Sequence, residues 1–300
     1  MKKEVLDSIN AEKRSIKFTR LPDGRRLSLT EYGAPYGKPI FYFHGWPGSR
    51  IGGEVLDEPA KALGVRLISA DRPGFGRSDP APGRTLLSWI EDVLDLSDYL
   101  GVKKFAVLGV SGGGPYTYAA AYAIPERLTR VGVAAGLGPV SNKELYKQLS
   151  RMLKLASWSS LHAPHLMAAN VWGLNFAAKH LSELLPFLRL AWKTSSDKKV
   201  FLQRNYRELM RRGTIESLRQ GTRSAVEEWQ LYAQPWGFNL EDIRIPVVIW
   251  HGTEDKSVPY VTAKFVKSQL PKAELHTYGN KGHYLLYEYG YEILQTLVND

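Results

Sequence analysis

Short β-rich apolar runs alternate with helical patterns over most of this chain, and that alternation restricts the fold more than any other feature. The runs are Pro39 to Phe43, Val65 to Ala70, Lys104 to Leu108, Arg130 to Ala135 and Ile245 to Trp250. The helical patterns are Glu54 to Leu63, Thr85 to Leu100 and Pro115 to Tyr122. Apolar runs this short, without a polar alternate face, suit strands covered on both sides. The chain is therefore expected to be an α/β protein with a doubly wound, mostly parallel sheet. Right-handed crossovers would place the functional loops at the carboxyl ends of the strands. Two further strands, Ser15 to Arg20 and Arg25 to Tyr32, flank the turn pair Asp23-Gly24, a hairpin signal.

The alternation stops after Gly136 and resumes near Ile243. Between them the chain reads as successive helices, including Ser141 to Ser157, Leu161 to Lys179, Lys198 to Arg212 and Ile215 to Tyr232. An insertion of this length between two sheet strands is expected to form a helical cap above the strand ends. Residues 1–136 and 240–300 are accordingly assigned to a core domain and residues 137–239 to the cap. The formal net charge is +10, and Leu137 to Gly237 carries most of it, with fifteen Lys or Arg against seven Asp or Glu. Spread at helical spacing, these charges read first as a solvated face, although a basic surface also attracts anionic substrates, membranes or nucleic acid. No zinc-finger or RNA-recognition motif accompanies them, so no nucleic-acid partner is expected.

The chain contains no cysteine, which excludes a disulfide framework, a thiol nucleophile and a thiolate metal site. Met1-Lys2-Lys3 is not followed by an apolar stretch of signal-peptide length, and no apolar run is long enough to span a bilayer. A cytoplasmic protein without a transmembrane segment is expected. His162 and His165 lie three apart but lack a third ligand nearby, so no metal is expected. Gly109 to Gly114 is glycine-rich yet lacks the Lys-Ser/Thr of a P-loop and the spacing of a dinucleotide fingerprint, so no cofactor is expected.

Ser111 stands in Gly109-Val110-Ser111-Gly112-Gly113, directly after an apolar strand and directly before a helix of small residues. This is the G-x-S-x-G nucleophile elbow in its required setting, where a tight turn leaves no room for side chains two residues to either side. A serine hydroxyl needs a general base, and the base needs an orienting carboxylate. Among the histidines, His283 has the fitting context. It follows the strand Glu274 to Tyr278, in Gly279-Asn280-Lys281-Gly282-His283, and opens the final helix. The carboxylate should follow the preceding strand, where Glu254 and Asp255 both qualify by position. An oxyanion hole needs two backbone N–H groups. Gly112 supplies one, and Trp46, in the loop His44-Gly45-Trp46-Pro47-Gly48, supplies the other.

These segments, together with Asp71-Arg72-Pro73-Gly74-Phe75-Gly76-Arg77-Ser78, resemble the α/β-hydrolase superfamily from about residue 15 to the chain's end, apart from the cap. The resemblance implies an eight-stranded mostly parallel sheet with helices on both faces, an all-helical cap insertion, and acyl transfer through an acyl-serine intermediate. It selects Asp255 as the orienting carboxylate and gives the chain order Ser111, Asp255, His283. Asp71 and Arg72 are read as loop-fixing residues.

The Trp46-Pro47 loop also resembles epoxide hydrolases. Opening an epoxide through serine would leave an ether that water cannot cleave, so Ser111 argues against that chemistry and against dehalogenation. The expected reaction is hydrolysis of a small-to-medium apolar carboxylic ester. Lactonase, cofactor-free perhydrolase and proline-iminopeptidase activities remain alternatives, as does a non-enzymatic ligand sensor. An aminopeptidase must hold a free ammonium with carboxylates; Glu183, Glu208, Glu227 and Glu228 are the cap acids weighed for that role. The cap's large apolar residues, Trp158, Leu161, Met167, Trp172, Leu174, Phe176, Leu185, Phe187, Leu188, Trp192 and Trp229, are read mostly as cap core, with the remainder lining a pocket.

Overall fold

The computed structural model describes residues 15–181 and 194–299. Eight strands form one sheet: β1 (Lys17–Arg20), β2 (Arg26–Gly33), β3 (Lys38–Phe43), β4 (Val65–Ala70), β5 (Phe105–Val110), β6 (Leu128–Ala134), β7 (Val247–Gly252) and β8 (Ala273–Tyr278). Their order is β1-β2-β4-β3-β5-β6-β7-β8. β2 runs antiparallel to both β1 and β4, and every pair from β4 to β8 is parallel.

The apolar runs are continuous because both faces are covered. Along β3, Phe41 and Phe43 enter one buried cluster while Ile40 and Tyr42 enter the other; along β5, Phe105 and Val107 oppose Ala106 and Leu108 in the same way. Strand side chains alternate between faces, so each face receives every second residue. The first cluster is closed by α2 (Leu86–Tyr99) and α3 (Gly114–Ala123), and the second by α1 (Asp57–Ala62) and α11 (Leu285–Val298). Helix α2 starts at a reciprocal cap, in which Ser88 N donates to Thr85 Oγ1 at 3.0 Å and Thr85 N donates to Ser88 Oγ at 2.9 Å. Helix α10 (Val261–Gln269) joins β7 to β8.

Between β6 and β7 the described residues contain helices and no strand: α4 (Lys143–Gln148), α5 (Arg151–His162), α6 (Pro164–His180), α7 (Ser195–Leu202), α8 (Arg204–Ser217) and α9 (Arg223–Ala233). The long helical stretches expected here are broken into shorter ones. Ser150 caps α5 by accepting from Leu153 N. Ala163 leaves the helical region because Pro164 follows it, and Pro164 then opens α6. Gly221, at φ +102°, ends the stretch before α9. No helix among the described residues is long and apolar enough to cross a membrane.

The strand order reverses between β3 and β5, because the chain moves outward from β3 to β4 and then crosses back to β5. Such a switch point opens a crevice beyond the carboxyl ends of the two strands. The His44 loop leaves β3 there and Ser111 leaves β5, side by side. β7 and β8, also neighbours, deliver Asp255 and His283 to the same edge.

Candidate active site

Ser111 has φ +54°, a left-handed conformation that a non-glycine residue adopts only when its surroundings impose it. They do so by crowding. A Cβ at Gly109 would strike Thr117 Oγ1, and one at Gly113 would strike the Phe43 carbonyl oxygen. The His44 loop lies against the elbow: a Cβ built on Gly45 would sit 3.3 Å from Ser111 Cβ, and one on Gly112 would sit 3.2 Å from Trp46 N. Gly112 and the Trp46 backbone nitrogen, the two positions expected to form an oxyanion hole, are therefore neighbours.

Asp255 is buried and accepts from both sides. Its Oδ1 takes the backbone N–H groups of Ser257 at 2.8 Å and Val258 at 2.9 Å. Its Oδ2 lies 2.7 Å from His283 Nδ1 and 3.4 Å from His251 Nε2. A carboxylate only accepts, so His283 Nδ1 carries a proton, and in the neutral ring the lone pair lies on Nε2, the form a general base needs. His251 Nε2 also lies 2.8 Å from the Val258 carbonyl, which fixes its proton on that nitrogen. The Glu254 side chain is exposed. Ser111 Oγ forms no hydrogen bond among the described residues, so serine and histidine are not hydrogen-bonded; nucleophile–base bonds often close only with substrate bound.

Burial raises the Asp255 carboxyl pKa, but attraction to His283 and hydrogen bonds from His251 and His283 outweigh it and hold the group below the ordinary carboxylate range. A folded pKa below the unfolded one means that ionised Asp255 stabilises the fold above about pH 4, and that this contribution is lost as the pH falls further. The stability difference between wild type and Asp255→Asn, measured by urea unfolding, should shrink as the pH falls below about 4. A difference that grew as the pH fell below about 4 would contradict this arrangement.

Three features of the site were missed in the sequence. Helix α9 locks onto the His44 loop through Arg72 and Glu228, both fully buried: Arg72 Nε meets Glu228 Oε1 at 2.5 Å, while Arg72 Nη1 donates to the His44 carbonyl at 2.6 Å and Nη2 to that of Gly45 at 3.2 Å. Tyr116 OH donates to Glu228 Oε1 at 2.8 Å. Burial alone would lower the Arg72 pKa, but Glu228 more than offsets it and keeps the guanidinium charged. Burial and the Arg72 charge drive the His44 pKa well below its ordinary value, so that ring is neutral, donating from Nδ1 to Gly45 O and accepting Arg72 N at Nε2. Secondly, Tyr232 OH donates to Gly112 O at 2.8 Å, and Trp46 Nε1 donates to Ala225 O at 2.8 Å.

The third feature is Asp197 in the first turn of α7. Its Oδ1 accepts the N–H groups of His283 at 2.8 Å and Tyr284 at 3.2 Å, while Ser196 Oγ accepts that of Gly282 at 2.9 Å. A side chain on Gly282 would strike the carboxylate. Asp197 Oδ2 is buried and has no hydrogen-bond partner among the described residues. The capping spacing Thr194 to Asp197 was the available signal, but nothing local pointed to residue 283. Asp71 and Arg72 both occupy the loop-fixing places expected of them, Arg72 through the His44 and Gly45 carbonyls and Asp71 with Oδ1 accepting Arg50 N at 2.7 Å and Oδ2 meeting Arg50 Nη1 at 2.6 Å; only the Glu228 partner of Arg72 was unforeseen.

The cap's apolar residues divide differently from expectation. Met167 and Trp229 are buried, but Trp158, Leu161, Trp172 and Phe176 are exposed. Helical periodicity says that a face is apolar, not which way it turns. Leu185, Phe187, Leu188 and Trp192, like Glu183, lie outside the described residues.

A family model described as the alpha/beta hydrolase fold matches residues 38–289, and the chain belongs to that family. It is 26% identical over 264 residues to the proline iminopeptidase of Lactobacillus helveticus (strain DPC 4571), covering 82% of this chain and 83% of that one. It is 23% identical over 304 residues to the 2-hydroxy-6-oxo-2,4-heptadienoate hydrolase of Pseudomonas putida, covering 98% of each. Among solved structures, an esterase from Exiguobacterium antarcticum aligns with TM-score 0.67 at 19% identity, covering 94% of this chain and 97% of that one.

Proposed function

We propose that this protein is a serine hydrolase of small-to-medium apolar carboxylic esters, working through an acyl-serine intermediate beneath a cap formed by residues 137–239. His283 Nε2 takes the Ser111 proton as Oγ attacks the ester carbonyl. The N–H groups of Trp46 and Gly112 receive the developing oxyanion. Collapse expels the alcohol, which takes its proton from His283. Water, deprotonated by the same nitrogen, then releases the acid and restores Ser111. The chain's lack of cysteine agrees with action in the reducing cytoplasm.

The observation that carries ester over aminoacyl substrates is the commitment of the cap acids. Glu228 is buried against Arg72, Glu208 pairs with Arg211 at 2.7 Å, and Glu227 pairs with Arg223 at 2.7 Å. Carboxylates already neutralised by arginine hold a substrate ammonium poorly. One observation favours the second reading, an aminopeptidase: the buried Oδ2 of Asp197, which has no hydrogen-bond partner among the described residues.

A panel of aryl esters, lactones, thioesters and proline arylamide separates the two. The expected result is a kcat/KM for short aryl esters at least about tenfold above that for the arylamide. Faster arylamide turnover, abolished in Asp197→Asn, would reassign the protein.

A further inference from the structure

Helix α5 is turned inside out. Its buried positions are Leu153, Ser157, Ser159 and Ser160, whereas its solvent face carries Met152, Leu155, Trp158 and Leu161 at a spacing of three. Two of the serines are satisfied within the helix, Ser160 Oγ donating to Ser157 O at 2.8 Å and Ser159 Oγ to Ala156 O at 3.3 Å. Their small size lets α5 lie close against α9, where Gln230 Nε2 donates to Ser160 O at 2.9 Å. The large side chains are thereby left outside: Leu155 is 63% exposed, Trp158 50% and, on the adjoining α6, Trp172 62%. Trp172 stacks on Phe176 with ring centroids 5.4 Å apart, so the outer face of α6 is apolar as well. Single exposed apolar residues are ordinary, but a face built from two packed helices is not.

Charge identifies what this face meets. Between residues 141 and 181 the cations are Lys143, Lys147, Arg151, Lys154 and Lys179, and Glu144, paired with Lys147, is the only acid. A second copy laid on the same face would bring these cations against their equals. Anionic head groups would be attracted to them, while tryptophan and leucine enter the boundary between head groups and acyl chains. We propose that the outer face of α5 and α6 docks the protein on anionic phospholipid bilayers, peripherally and without crossing them.

The test is co-sedimentation of the full chain with vesicles of mixed phosphatidylglycerol and phosphatidylcholine, compared with phosphatidylcholine alone. The readout is binding, so it stands whether or not the ester reading holds. Low-salt partition onto the anionic vesicles should exceed that onto phosphatidylcholine by about tenfold or more, and should fall steeply in about 1 M salt. Trp158→Ser combined with Trp172→Ser, and separately Lys147→Glu with Arg151→Glu and Lys154→Glu, should each reduce partition about tenfold or more, with circular dichroism unchanged. Wild type left in the supernatant, equal binding to both vesicle types, or variants that bind like wild type would overturn the proposal. So would a dimer in sedimentation equilibrium that the tryptophan variant abolishes, which would give the face to a second copy.

Discussion

Replacing Ser111 by alanine is expected to lower kcat for a short aryl ester by a factor of about 10³ to 10⁶ while leaving KM within a few-fold, because in the proposed mechanism the serine supplies the bond-forming step and little of the binding. Stability should move the other way. Ser111 is held at φ +54°, where an L-residue pays on the order of 1–2 kcal/mol. Ser111→Gly should therefore remove activity and raise the melting temperature, and Ser111→Ala should leave it nearly unchanged. Loss of activity together with a drop of many degrees in both variants would mean that the elbow is a packing element and not the nucleophile's seat.

The second large effect concerns Glu228. Removing its carboxylate leaves Arg72, fully buried, without a counter-charge. Breaking a buried pair by deleting one partner costs about 3–5 kcal/mol. Converted at about 2–4 °C per kcal/mol for a chain somewhat shorter than this one, Glu228→Ala should melt roughly 6–20 °C below wild type. Arg72 also donates to the carbonyls of His44 and Gly45, so the loop bearing Trp46 N–H should loosen and kcat should fall with stability. Glu228→Gln, which keeps acceptors for Arg72 and Tyr116, should lie between. A Glu228→Ala protein melting within a degree or two of wild type would show that the pair does not hold cap helix to core. Differential scanning fluorimetry with ester kinetics measures both effects.

The strands were legible because burial on both faces makes the sequence uniformly apolar: Val65 to Ala70 reads the same in the sequence and in β4. Most other strand ends shift by one or two residues, where the chain passes from sheet to loop without a chemical change. The elbow was legible because its glycines answer a local steric demand. The helices between β6 and β7 were legible as helices but not as packed objects. Pro164 and Gly221 were visible breaks, yet the direction of each helix face depends on partners distant in sequence.

The pairing of Arg72 with Glu228, 156 positions apart, and of Asp197 with the backbone of His283, 86 apart, had no local signature. Each joins a cap helix to a loop of the site. The sequence could identify which residues carry chemistry more readily than which residues hold them, since chemistry requires particular side chains at particular turns, whereas support can come from any element that folding brings near.

The most direct measurement of the central claim is covalent labelling with a fluorophosphonate, read by intact-protein mass spectrometry and peptide mapping. An activated serine between His283 and an oxyanion hole predicts rapid single-site modification at Ser111, slowed by at least about two orders of magnitude in His283→Ala and in Asp255→Asn. A wild-type protein that stayed unlabelled, or that was labelled at another residue, would contradict it and leave a ligand-sensing protein on a hydrolase scaffold as the better reading.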